Sequence, residues 1–336
     1  MTRNSSPDID TVRTVFGHAA RAPSLHNSQP WRWRWDGTTA ALYLDAERLL
    51  PATDMFNREG VLGAGVMLNH AEVAWGAAGW QTRVSSFPDP TVRGHLASLQ
   101  PVCPHVPTEP ERLLGQAIEQ RYSDRMPMDE PSGWQATRQI LEFLASRSGT
   151  TTTFLDPTAL GALHQISAMT TGFRRYDPKY QAELSWWTAG PDAGRAGVPA
   201  SVLPTTPDRS HIPLGREFPS GTAGPAGEGD DEAMVVVLST PGDSATDLLD
   251  CGRALSAVLL ECTVQGLSTC TVSHIVEIPS ARARVAELVG QRFPQVLVRI
   301  GSARAEPPPR TPRRGLDSFL EIGIADDTIG TTQQDR

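Results

Sequence analysis

The apolar positions change period several times in the first eighty residues. From about 8 to 22 they suit a helix, which Pro23 closes. Between Trp31 and Trp35 they alternate strictly: Trp31, Trp33 and Trp35 fall on one face of a predicted strand, Arg32 and Arg34 on the other. A second short strand is predicted within 30–45, beyond the turn Asp36-Gly37. From about Asn57 to Gly79 the chain is apolar nearly all round and carries the small residues Gly63, Ala64, Gly65 and Ala71. That pattern predicts a helix buried against another helix.

A strand is predicted after Gly79, followed by a Pro-rich connector over 87–110. Helices are predicted at 109–121, 133–147 and 156–172, with a Thr-rich strand at 150–155. A second sheet-and-helix unit then follows: strand Ala233 to Ser239, helix 246–265, strand 269–274, helix 280–290, strand 295–300, and an Arg- and Pro-rich tail. The two long apolar helices match in outline. Gly65 and Gly79 are fourteen residues apart, as are Gly252 and Gly266, and each pair brackets an apolar run. Two buried helices with glycine caps would look like this, and so would a duplicated unit packing as a pseudo-dimer.

Segment 188–231 breaks the alternation. Fifteen of its 44 residues are Gly or Pro, against 57 of 336 in the whole chain, so it is too interrupted for regular structure. Loops this long are disordered or act as lids. The apolar residues Val198, Val202, Leu203, Ile212, Leu214 and Phe218 favour a lid, because a solvated linker would not need them.

Composition narrows the function classes. At 336 residues the chain can bury a sizeable core without staples, and its four cysteines are widely spaced with no C-x-x-C pair. Cys251, Cys262 and Cys270 sit among apolar residues and read as packing. A net charge of −8 argues against a nucleic-acid partner. No apolar run approaches the roughly 18 residues of a membrane span, and the first fifteen residues lack an apolar leader core, so a soluble cytoplasmic protein is expected. The eight histidines show no metal-ligand spacing, and no metal site is expected.

Three pieces could hold chemistry. The first is the turn Ala22-Pro23-Ser24-Leu25-His26-Asn27-Ser28-Gln29-Pro30-Trp31, polar side chains held between two prolines. The second is Gln120-Arg121-Tyr122-Ser123-Asp124-Arg125, where two guanidinium forks flank a hydroxyl at a helix end. The third is Arg310-Thr311-Pro312-Arg313-Arg314, a basic cluster in an acidic protein. Singly, each also reads as a solvated turn, helix end or tail.

In order, the motifs A-P-S-x-H-N-x-Q-P-W, a Gly-bounded apolar helix, R-x-S-x-R, a strand and second helix, Val298-Arg299-Ile300-Gly301 and Pro312-Arg313-Arg314 resemble the nitroreductase superfamily of FMN flavoproteins. More closely the chain resembles the Acg-like subfamily, in which two nitroreductase units are fused. The resemblance implies an α+β nitroreductase-like fold: an N-terminal unit over 1–100 and a C-terminal unit over 101–336, packed as an intramolecular pseudo-dimer, with 188–231 as an inserted lid loop. It implies one FMN at the seam. Pro23, Ser24, Asn27 and Gln29 would come from the first half, and Arg121, Ser123, Arg125, Arg313 and Arg314 from the second. Arg121 with Arg313 or Arg314 would hold the phosphate, Arg125 would lie near the ribityl chain and the N1/O2 edge, and the backbone around Ser273 and His274 would approach N5.

The chain also departs from the family pattern. The first half has no R-x-S-x-R, and the second has only Pro131-Ser132-Gly133-Trp134 in place of the polar turn, so the second interface site should be dead. Leu25 replaces a small polar residue. The implied activity is ping-pong transfer from NADPH or NADH through FMN to a nitroaromatic or quinone-like acceptor, with no catalytic side chain because the flavin carries the chemistry. The alternative is a flavin-storing protein whose lid closes over FMN. A fused pseudo-dimer has already buried the usual dimer interface, so a monomer is expected.

Overall fold

The computed structural model describes residues 6–89, 91–190, 196–219, 221–223 and 229–323. Of the expected lid, 191–195, 220 and 224–228 therefore lie outside the described residues. The first half runs α1 (Ile9–Ala19), β1 (Trp31–Trp35), β2 (Ala40–Leu44), α2 (Arg58–Ala77), β3 (Trp80–Ser86) and β4 (His95–Pro104). Next come α3 (Glu109–Gln120), β5 (Met128–Asp129), α4 (Trp134–Ser146), β6 (Thr151–Phe154), α5 (Pro157–Arg175), α6 (Pro178–Ala189) and the single turn α7 (Thr206–Arg209). The second half closes with β7 (Met234–Thr240), α8 (Ala245–Val264), β8 (Ser268–Val272), α9 (Pro279–Val289), β9 (Phe293–Ala303) and β10 (Leu320–Ile322).

Two five-stranded sheets result. The first has the order β10-β1-β2-β4-β3, and its edge strand β10 returns from the far end of the chain to lie parallel to β1. In the second, β9 pairs β7 on one side and β8 and β5 on the other, with β6 beyond β7, all antiparallel. The tryptophan strand behaves as its alternation predicts. Trp31, Trp33 and Trp35 are buried and Arg32 and Arg34 exposed. Trp33 packs 4.8 Å from Phe16 of α1, and Trp35 stacks 6.2 Å from Trp75 of α2. Each indole removes roughly 200 Å² from water, a gross gain of about 5 kcal/mol.

The two long helices form the centre. Each is 20 residues long and is followed by a left-handed glycine, Gly79 at φ +83° and Gly266 at φ +73°. They cross where Gly65 meets Gly252. A Cβ on Gly65 would lie 2.1 Å from the Leu249 carbonyl oxygen, and one on Gly252 would lie 2.0 Å from that of Leu62. The contact is reciprocal, because Leu62 and Leu249 stand three residues before their respective glycines. This reciprocity is compatible with two similar units packed as a pseudo-dimer.

Beside the crossing, the imidazole Nδ1 of His70 lies 2.8 Å from Ser256 Oγ and 3.1 Å from the Val66 carbonyl. Burial pushes the His70 pKa down to about 3, so the ring stays neutral in the fold. The unfolded chain takes up that proton near pH 6.5 and the folded one does not, so stability is lost as pH falls below 6.5, by about 1.4 kcal/mol per unit. Urea denaturation between pH 6.5 and 4 should show this slope, and His70→Gln should flatten it by one proton's worth.

Some elements differ from the sequence expectations for visible reasons. The expected connector over 87–110 contains β4. Its Pro101 and Pro104 lie beyond the stretch His95–Leu99 that β2 pairs, so they need to satisfy a ladder with β3 alone, and the register shifts beside Pro101. A further helix, α6, begins at Pro178, with the Asp177 carboxylate accepting from the Lys179 and Tyr180 amides. Segment 196–219 is not pure coil. It holds α7, and Val198, Val202, Leu203, Ile212 and Leu214 are all buried.

Candidate functional site

Two adjoining chambers lie between the halves and share Pro23, Ser24, Ser123, Arg125 and Val198. One, of about 350 Å³, is basic: Arg21, Arg121, Arg125, Arg310 and Arg313 line it, with Glu119 as the one carboxylate. The other, of about 290 Å³, is walled by apolar groups such as Leu62, Val66, Leu214, Leu255 and Val272, with Ser273 and His274 at its side. Its roof is segment 196–219, through Ile212, Arg216 and Phe218.

The polar turn is strained where the chambers meet. His26, Asn27 and Gln29 all hold positive φ, at +52°, +56° and +52°. The turn is tied by Ser24 Oγ, which accepts from the Gln29 amide at 2.8 Å. The Asn27 amide donates 2.9 Å bonds to the Gly197 and Pro312 carbonyls, which leaves its own buried Oδ1 without a partner among the described residues. Thus Asn27 joins the turn to the roof and to the tail. Gln29 is fully buried and lines neither chamber. Its Oε1 accepts from the Arg314 amide at 3.0 Å. Arg314 also stands behind the wall, donating to the Gln29 and Trp31 carbonyls and to Asp45 at 3.1 Å.

In the basic chamber the cations outnumber their partners. Glu119 is engaged by Arg310 at 2.6 Å and His18 at 3.3 Å. Arg313 gives its hydrogen bonds to carbonyls, those of Ala20 and Arg21 at the end of α1 and that of Pro312, each at 3.0 Å, and to Thr311 Oγ1 at 2.7 Å. Arg121 follows the last residue of α3 and is 6 % exposed. Among the described residues its guanidinium makes a single long hydrogen bond, 3.5 Å, to the Arg21 carbonyl, and its Nε and that of Arg21 are buried without a partner. Burial, with Arg21 and Arg125 nearby, pushes the Arg121 pKa down to about 10. Burial beside Arg21 and Arg121 likewise holds Arg313 well below the usual guanidinium range. Buried guanidinium groups without carboxylates are what a bound dianion would relieve.

The apolar chamber carries an ion pair in its roof. Arg216 bonds both oxygens of Glu277, a carboxylate 1 % exposed, and also Tyr180 Oη at 2.7 Å and Ser273 Oγ at 3.1 Å. Ser273 in turn donates to Glu277 at 3.0 Å. His274 lies 3.1 Å from Ser167 Oγ, and burial holds both His274 and His26 neutral, well below the usual imidazole range. Arg125 sits 5.7 Å over the Phe218 ring. Cys270 lines the chamber, while Cys251 and Cys262 are packed in the core. No three His, Cys, Asp or Glu among the described residues gather as metal ligands, and no described helix is long and apolar enough to cross a membrane.

The structure thus gathers Pro23, Ser24, Asn27, Arg121, Ser123, Arg125, Ser273, His274 and Arg313 on the two chambers and sets Gln29 and Arg314 behind them. The sequence reading did not single out Arg21, Glu59, Arg216 and Glu277. Arg21 lies one residue before the polar motif, and Arg216 sits in the Gly/Pro-rich segment, where a charge reads as solvated. Glu59 reads as an ordinary first-turn acid.

The fold and site define an α+β protein with a basic chamber opening onto an apolar one. Among curated proteins, a Mycobacterium tuberculosis chain named "Putative NAD(P)H nitroreductase acg" is 40 % identical over 322 residues, covering 94 % of this chain and 97 % of its own. A second "Putative NAD(P)H nitroreductase" of that organism is 38 % identical over 323 residues, covering 94 % and 92 %. This chain belongs to that Acg family of nitroreductases. No family model matches it. Among solved structures it is similar to a nitroreductase with bound FMN from Bacteroides fragilis (TM-score 0.37, 14 % identity, 66 % of this chain and 98 % of that one). Another is a "putative nitroreductase" from Anabaena variabilis (TM-score 0.42, 11 % identity, 89 % and 90 %).

Proposed function

We propose that this chain binds one FMN across the seam between its halves and passes electrons from NADPH or NADH to a nitroaromatic or quinone-like acceptor. The observation that carries this reading is the set of carboxylate-poor guanidinium groups of buried Arg121 and half-buried Arg21 and Arg313, opening past Ser24, Ser123 and Arg125 onto an apolar chamber. A flavin mononucleotide needs that sequence of environments: charge for a phosphate, hydroxyls and amides for a polyol, and apolar walls for a ring. The names of the relatives support the choice of donor and reaction class. When bound, FMN supplies hydride acceptance and donation.

The residues of this chain do the rest. Arg121 and Arg313 neutralise the phosphate. Ser24 and Ser123 line the passage between the chambers. Arg125 faces the ring edge as a fixed positive charge. Gln29 and Arg314 position Asn27 and the tail from behind. Leu62, Val66 and Leu255 exclude water from the ring. The reciprocal Gly65–Gly252 crossing supports reading the molecule as two fused units, one over 1–100 and the other over 101–336, in a monomer.

The roof favours a second reading, storage of flavin beneath a closed lid, because Arg216 is latched to Glu277 and Ser273 at the chamber wall. Anaerobic titration of the FMN-loaded protein with NADPH and NADH separates the two. Stoichiometric bleaching of the flavin band is expected for a reductase. A band that persists in the native protein but bleaches in Arg216→Ala would establish the latch and the storage role. Failure of the stripped protein to take up FMN would overturn both.

A further inference from the structure

Glu59 opens α2 and lines the apolar chamber on the same helix face as Leu62, Gly63 and Val66. It is 6 % exposed, and its Oε1 is buried without a hydrogen-bond partner among the described residues. Charged and titratable groups face it from four elements. Arg58 on its own helix and Arg216 from the roof favour its ionised form, while Asp54 in the preceding loop and Glu277 between β8 and α9 oppose it. Cys251 of α8 also feels its charge, and burial holds that thiol neutral.

Neither arginine pairs with Glu59, because both are committed elsewhere. Arg216 is bound to Glu277, Ser273 and Tyr180. Arg58 donates to the Val276 carbonyl and Gln295 and lies 3.8 Å from Asp243. A carboxylate here would have no paired counter-ion, and burial pushes the pKa of Glu59 up to about 8. The neutral acid carries an O–H, and the protein offers no acceptor to Oε1. Among the chamber's donors it differs from Arg125 and Arg216 in giving a hydrogen bond without a charge. On ionisation it becomes an acceptor, which would repel the same ligand atom.

We propose that Glu59 is a neutral, protonated-carboxyl hydrogen-bond donor of the apolar chamber, its O–H meeting a carbonyl or imine acceptor on the edge of the flavin ring. The inference rests on the flavin reading above and adds to it a proton requirement for ring binding. An acceptor on the ring satisfies the buried acid left unpartnered in this chamber among the described residues. Ionisation removes the bond and sets two acceptors against each other.

The test is FMN binding by the flavin-free full chain, followed by quenching of FMN fluorescence from pH 7 to 9.5, where the phosphate is already a dianion. His26 and His274 titrate below this window and the arginines above or at its edge. The dissociation constant of the native protein should be flat to about pH 7.5 and then rise about tenfold per unit above pH 8, since only the protonated acid binds. Glu59→Gln keeps a neutral donor at every pH and should stay flat throughout. A flat native profile, or a Glu59→Gln profile that rises like the native one, overturns the proposal and leaves the flavin reading standing. No binding at any pH overturns both.

Should Glu59→Gln not fold, difference infrared on the native protein decides. At pH 7 a protonated-carboxyl band should be present, and it should shift when FMN is added. Its absence, or its indifference to FMN, overturns the proposal.

Discussion

Arg121→Ala should weaken FMN binding at least about a hundredfold while leaving the flavin-free protein as stable as before or more so. The loss of affinity follows from removing a charge-assisted partner of a phosphate in a pocket where the surrounding protein shields it from water; such contacts are worth about 2–5 kcal/mol. The stability effect has the opposite sign because the cation has no carboxylate to pair with. Burial pushes its pKa down to about 10 on folding, so at any pH below 10 its charge costs the flavin-free fold on the order of 3 kcal/mol. Truncation leaves a cavity, which offsets part of that gain. FMN titration and urea denaturation of the same preparations check both signs. Arg121→Lys keeps the charge but not the planar fork and should fall between. A variant that loses stability and keeps FMN would mean that Arg121 is a structural cation and that the phosphate lies elsewhere.

Much of this architecture was legible from periodicity. The tryptophan alternation fixed which face of β1 is core, and the matched glycine pairs of α2 and α8 marked the positions that touch at their crossing. What stayed hidden has physical causes. Strand β4 was masked because proline normally argues against an interior strand, and here the prolines lie past the end of one neighbour. The three-residue strand β10 was invisible because so short a run carries no period, and its place beside β1 is set by Phe319 and Arg314 rather than by its own pattern.

The site divides the same way. The family resemblance pointed to Ser24, Asn27, Arg121, Ser123 and Arg125, which do line the chambers. It could not separate side chains that face the chambers from those that brace them, since Gln29 and Arg314 differ from their neighbours only in where the strained turn aims them. Nor could it flag Glu59, whose unusual state depends on Arg216 and Arg58 being occupied by groups distant in sequence.

Gly252→Ala should destabilise the protein by more than about 3 kcal/mol and abolish flavin binding together with the fold. The added Cβ would sit 2.0 Å from the Leu62 carbonyl oxygen and 2.9 Å from Gly65 Cα, which are backbone atoms that cannot turn aside. The helices must part, and close-packed cores resist even one methylene of expansion. The damage reaches the site because Leu62, Gly63 and Val66 of α2 and Leu255 of α8 line the apolar chamber from either side of that crossing. Gly161→Ala in α5 is the matched control. A Cβ there meets nothing within 4 Å, so the change should stabilise by about 0.5–1 kcal/mol through helix propensity alone. If urea denaturation finds Gly252→Ala as mild as Gly161→Ala, the two halves are not held by this crossing, and the chamber walls need another support. The expected contrast would instead mean that joining the halves and shaping the flavin chamber are one structural event.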